Sequence, residues 1–147
     1  MVARDAYFWA WPMMNIYNRR LAFKQAPEVG LMNGVLPFAP LNRLSMLHDY
    51  VAPAQRWVAC PNQDTVYGDG IAAPDETPVV LQVPDFGDRF WVYQVVDLRT
   101  DSFADLGAMY GSKPGFYLLA REDWKAVQAR ICCGRLAHAV VRRRKSG

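Results

Sequence analysis

No stretch of the chain approaches the roughly 18–20 consecutive apolar residues that a membrane-spanning helix needs. The opening MVARDAYFWAWPMM places Asp5 and Pro12 inside any would-be signal core. No secretion signal is legible, so a cytoplasmic setting is the default expectation. Serine is scarce: none of the four lies in a Gly-x-Ser-x-Gly elbow, and GSKPG at 111–115 lacks the Gly-Lys-Ser/Thr order of a phosphate loop. Nucleophilic serine chemistry and nucleotide binding are therefore not expected. Two histidines, His48 and His138, cannot build a three-histidine metal site, and no cofactor motif is present. His48 stands beside Asp49, but adjacent side chains seldom face each other, which favours a surface or capping role over a general base. Three cysteines cannot all pair with one another, and the adjacent Cys132 and Cys133 suit neither a usual disulfide nor a zinc knuckle. Cys60, within WVACPN, reads as a small buried hydrophobe.

What is present is a globular composition, with 147 residues, 52% of them hydrophobic and 21% charged. Such a chain can bury about two-thirds of the surface it exposes when unfolded. The net charge of +3 is unevenly spread. Residues 1–120 hold nine lysines and arginines against twelve acids, a net −3, whereas residues 121–147 hold eight against two, a net +6. The basicity belongs to the tail, where RRRK at 142–145 lacks interleaved aromatics or a nucleic-acid-binding module. A nucleic-acid partner is not expected.

Residues 4–24 contain no glycine, and Ala10, Met14, Tyr17 and Leu21 recur at helical spacing. Pro12 has no N–H for the carbonyl of Phe8, so the helix is expected to start near Trp11 or to kink there. The aromatic cluster Tyr7, Phe8, Trp9 and Trp11 reads as core packing. Residues 25–45, with three prolines and two glycines, read as an irregular loop. Beyond them the period becomes strand-like. Val79, Leu81 and Val83 share one face; RFWVYQVVDL is apolar on both faces and is expected to be covered on both; PDFGDR between them predicts a hairpin turn. GFYLLA at 115–120 and residues 65–72 complete about four strands, enough for one sheet and short of a whole sandwich.

The densest polar stretch is VACPNQDTVYGDG, residues 58–70. Pro61 is expected to hold Cys60 extended, and Asn62 and Asp64 can fold their side chains onto nearby main-chain N–H groups. Thr65, Tyr67 and Asp69 would then line one strand face, with Val66, Gly68 and Gly70 on the other. Two readings stand side by side: a turn built by its own side chains, or a pocket rim with Trp57 and Tyr67 as its apolar wall. Asp97, Asp101 and Asp105 recur every four residues without the order of a calcium-binding loop. Asp97 is expected to end a strand and pair with Arg99 or Arg89, and Asp101 to cap a turn in DSFADLG. If two carboxylates serve as acid and base, Asp64 and Asp97 are the candidates, because both leave apolar segments where burial raises a carboxyl pKa.

The run CPNQDTVYG, followed by TPVVLQVPDFGDRFWVYQVVDLRTDSFADLGAMYG and GFYLLA, with AYFWAWP upstream, resembles the N-terminal domain of the family known as domain of unknown function 1254. Pro61, Asn62, Asp64, Thr65 and Tyr67 carry its hallmark; Pro78 to Leu81, Val83 to Asp85 and Asp97 fall where the pattern expects them. The resemblance covers roughly residues 5–124. It implies an immunoglobulin-like β-sandwich preceded by a helix, usually joined to a second conserved domain, and it brings no established activity. Trp124 still fits the pattern, but the tail after Lys125 departs from it and reads as a truncated or frame-shifted product.

The expectation is thus a mainly β chain: an incomplete immunoglobulin-like sandwich with an N-terminal helix over residues 1–124, then a divergent basic tail over 125–147. Its expected role is a small-molecule-binding or structural domain, a fragment of a two-domain protein, with Trp57, Asn62, Asp64, Thr65, Tyr67 and Asp97 as the ligand set and no metal or cofactor. One alternative is an enzyme that uses Asp64, Tyr67 and Asp97 in a site completed by a second domain. Another is a protein-interaction module that self-associates through a bare strand edge or the surface left by that domain.

Overall fold

The computed structural model describes residues 2–62, 64–121, 124 and 140–141. The described chain has one long helix, a single 3-10 turn and small, mostly antiparallel sheets, and it divides into two compact units, residues 1–72 and 73–147. The basic tail, with Cys132, Cys133 and His138, lies outside the described residues apart from 140–141.

In the first unit, α1 runs uninterrupted through Val2–Lys24, with Pro12 inside it. Pro12 forgoes one main-chain hydrogen bond but lies in the helix interior, so the helix does not start near Trp11. Asp5 in the first turn and Lys24 in the last oppose the helix dipole, and the Arg19 Nε donates to Asn15 Oδ1 one turn back at 3.0 Å. The expected aromatic core is not there: Phe8 and Trp9 are 65% and 70% exposed, and Tyr7 and Trp11 are also exposed. Phe23 is the buried helix residue, and its ring meets Phe38 edge-on with centroids 4.8 Å apart.

The stretch read as an irregular loop contains a hairpin. Strand β1, Gly30–Met32, pairs antiparallel with β2, Leu36–Phe38. Asn33 and Gly34 between them both have positive φ, 54° and 73°, the geometry a tight primed turn demands, and the Val35 N–H donates to the Met32 carbonyl. The flanking prolines hid this signal. Strand β3, Ser45–Met46, pairs with β4, Gly68–Asp69, which is shorter than the strand expected over 65–72. Hydrogen bonds from Leu47 to Tyr67 and from Asn42 to Ile71 extend that pairing at both ends. The buried Ser45 hydroxyl donates to the Gly30 carbonyl and ties β3 to β1. Gly70 permits a close approach of backbone to backbone, since a Cβ there would strike the Arg43 carbonyl oxygen.

In the second unit, β5, Val79–Val83, pairs antiparallel with β8, Gly115–Leu119, and β8 pairs in parallel with β9, Val140–Val141. Strand β6, Val92–Val96, pairs instead with β7, Ser102–Gly107. The hairpin predicted between the β5 and β6 segments is therefore wrong. The PDFGDR turn forms, with Gly87 at φ 60° and its N–H on Asp85 Oδ1, but it carries the chain from one sheet to another. The core comprises Val83, Trp91, Ala104, Leu106 and Tyr117, so residues on or beside strands of both sheets share one cluster. Tyr117 keeps its polar tip satisfied by donating from its hydroxyl to the Lys113 carbonyl at 2.6 Å. Along β6, Tyr93 and Val95 pack on this cluster while Val92 and Val96 are exposed, so the strand is covered on one face rather than both.

Candidate functional site

The corner from Pro61 to Tyr67 is held by its own side chains. The paired backbone around β3 and β4 fixes Tyr67 through its carbonyl, which accepts from the Leu47 N–H at 2.8 Å. From that anchor the Tyr67 hydroxyl accepts the Asn62 N–H at 2.8 Å, and the Asn62 Oδ1 accepts the Asp64 N–H at 2.7 Å. The first bond closes the loop across five residues, and the second is an Asx turn within it. The Asp64 side chain is exposed and Thr65 is half-buried.

The segment before the corner is braced differently. Gln55 Oε1 accepts the N–H groups of Trp57 and Val58 at 2.8 and 2.7 Å, and its amide donates to the Val58 carbonyl at 2.6 Å. This holds the Trp57 backbone while its side chain stands 66% exposed. The sequence offered no sign of Gln55's part, since a lone glutamine in a loop is unremarkable. Cys60 has φ 49°, a left-handed conformation, and not the extended one expected ahead of proline. Its thiol is exposed and free, which corrects the reading of a buried hydrophobe.

Five of the six candidate residues, Trp57, Asn62, Asp64, Thr65 and Tyr67, thus fall within one loop of the first unit. Asp97 belongs to the second unit, where it organises the turn from β6 to β7. Its Oδ1 accepts the N–H groups of Arg99 at 2.7 Å and Asp101 at 3.2 Å, and Thr100 turns the chain at φ 68°. The main-chain N–H groups of Arg99 and Asp101 thus shape this turn around the Asp97 carboxylate. Asp101 is the residue after which β7 begins, so the stretch read as a capped turn is a strand. The burial that an acid–base role needs is missing at Asp64, which is exposed, and incomplete at Asp97, which is half-buried. The resolved pKa displacement is at Tyr93, whose hydroxyl is pushed up by burial.

His48 is exposed, and Asp49 spends one carboxylate oxygen on the Tyr50 N–H at 2.7 Å. No group of three or more His, Cys, Asp or Glu side chains gathers among the described residues. No described helix is long and apolar enough to cross a membrane. Surface grooves lie away from the corner, one along α1 beside Trp11 and Met14, the other between Pro74–Pro78 and the Arg121 and Trp124 side chains.

Searches of curated proteins and of solved structures find no match to the chain. A family model does match, over residues 41–142, starting after α1 and continuing beyond Lys125. That span covers more than half of the sequence and includes the whole Pro61–Tyr67 corner, so the chain belongs to DUF1254, a family of proteins of unknown function.

Proposed function

We propose that this chain is a structural β domain whose Pro61–Tyr67 corner is a fixed scaffold, with binding of a small molecule as a second role for the groups it leaves facing outward. The observation that carries the first reading is that the Asn62 Oδ1 and the Tyr67 hydroxyl oxygen each accept an N–H of the corner's own main chain. The exposed Asp64 carboxylate and Trp57 indole favour the second, since they offer an acceptor and a stacking surface on the same loop. The shared core of the second unit supports an immunoglobulin-like sandwich, because that fold packs two antiparallel sheets around inward-facing side chains of both.

The test is to titrate a library of small cationic and hydrogen-bond-donating compounds against the chain by NMR, then repeat with Asp64→Asn and Tyr67→Phe. Shifts at Trp57 and Thr65 that vanish in Asp64→Asn, with folding retained, support ligand binding. Destabilisation by Tyr67→Phe with no compound bound anywhere on the loop supports the scaffold alone. A corner indifferent to both substitutions removes both readings.

A further inference from the structure

The most exposed ordered apolar surface of the first unit lies on α1. Ala3, Tyr7, Ala10, Met14, Tyr17 and Leu21 are spaced alternately four and three residues apart, the repeat of a two-helix seam. This stripe lies on the side of the helix opposite Phe23, the residue that packs into the unit. Tyr7, Met14, Tyr17 and Leu21 stand 57%, 52%, 46% and 43% exposed, and Trp11 beside them 51%. Residues 6–18 carry no charged side chain, and a groove of about 360 Å³ runs along this part of the helix past Trp11, Met14, Asn18 and Ala22.

We infer that α1 pairs with α1 of a second copy of this chain, antiparallel, about a two-fold axis near Pro12. In that arrangement Ala3 meets Leu21 of the second copy, Ala10 meets its Met14, and Tyr7 meets its Tyr17, so large residues sit on small ones in the outer and central layers. On the flanks Arg4 faces Asn18 and Arg20 faces Ala6, so no like charges meet. A parallel pair would instead stack alanine on alanine and Lys24 on Lys24, leaving voids and a repulsion. Pro12 lies off the seam and does not obstruct it. Aromatic side chains carry about 150–250 Å² each, so five side chains near half exposure leave on the order of 500 Å² per chain. The pair would bury about 1,000 Å² in total, the lower bound for a specific interface. The two-fold makes the contact isologous and closed.

The experiment is sedimentation velocity on the full chain at tens of micromolar. The wild type is expected to sediment as a dimer. Met14→Glu and Ala10→Lys, alone, each weaken association by at least about a hundredfold, since each sets an unpaired charge in the seam. Mixed together they form dimers again, because the new carboxylate and ammonium meet across the central layer in the antiparallel register and in no parallel one. Trp9→Ala removes a more exposed aromatic ring off the seam and leaves association unchanged. A monomeric wild type, a dimeric Met14→Glu, a mixture that stays monomeric, or a Trp9→Ala that dissociates like Met14→Glu would each overturn the pairing.

Discussion

Replacing Trp91 by alanine tests the core of the second unit and its strand register together. Trp91 is 9% exposed, its ring lies 5.7 Å from that of Phe86 and 6.0 Å from that of Tyr93, and it joins Val83, Ala104, Leu106 and Tyr117. An aromatic side chain of this kind buries about 200 Å². At about 25 cal/mol per Å² its removal costs about 4–5 kcal/mol of transfer energy. Residual compactness in the unfolded chain lowers that figure and the cavity left behind raises it, so about 3–5 kcal/mol is expected. Phe90, one residue earlier, is 63% exposed and points to the other face, so Phe90→Ala should cost under about 1 kcal/mol. The assay is urea unfolding followed by far-UV circular dichroism, comparing midpoints at unchanged slope. Equal losses for the two alanine variants, or a larger loss for Phe90→Ala, would refute the inward placement of Trp91 and with it the register of β6.

Gly70→Ala is expected to lower the melting temperature, with a cost of about 1–3 kcal/mol, because its Cβ meets the Arg43 carbonyl and neither backbone has room to give. Gly34→Val should cost about 1–2 kcal/mol in thermal unfolding, since Gly34 sits at φ 73° and a branched side chain resists that conformation. Tyr93 is held above its ordinary pKa of 10.0 by burial, so its contribution is fully present below pH 10 and is lost as pH rises through the folded-state value. Stability should therefore fall on the alkaline side of pH 10, and Tyr93→Phe should flatten that fall in pH-dependent urea titrations.

The parts of the fold legible in the sequence are those where local chemistry and tertiary packing agree. The alternation of Val79, Leu81 and Val83 marks the inward face of β5, and Asn62 binds the main chain as expected, whereas the second brace comes from the Tyr67 hydroxyl, read as a wall residue, and not from the Asp64 carboxylate. Strand β7 was opaque because serine, aspartate, alanine and glycine are poor strand formers, and only pairing with β6 makes SFADLG extended. The β5 partner was misread for the related reason that a turn sequence reports a reversal and not which sheet the next strand joins. On α1 the periodicity located a helix but not its covering, since the stripe through Met14 and Leu21 faces away from the unit that Phe23 enters. Of the candidate site, the loop from Trp57 to Tyr67 was visible as a polar cluster between apolar runs, while the bracing by Gln55 left no trace in composition or spacing.

Amide hydrogen exchange at Asn62 and Asp64 tests the self-closed corner most directly. Each of these N–H groups donates to one side chain of the loop, and one such bond contributes about 1 kcal/mol. Tyr67→Phe should therefore speed exchange at Asn62, and Asn62→Ala should speed it at Asp64, each by roughly fivefold, with Asp64→Asn leaving both unchanged. Exchange at unprotected-peptide rates in the wild type, or protection that survives both substitutions, would contradict the account.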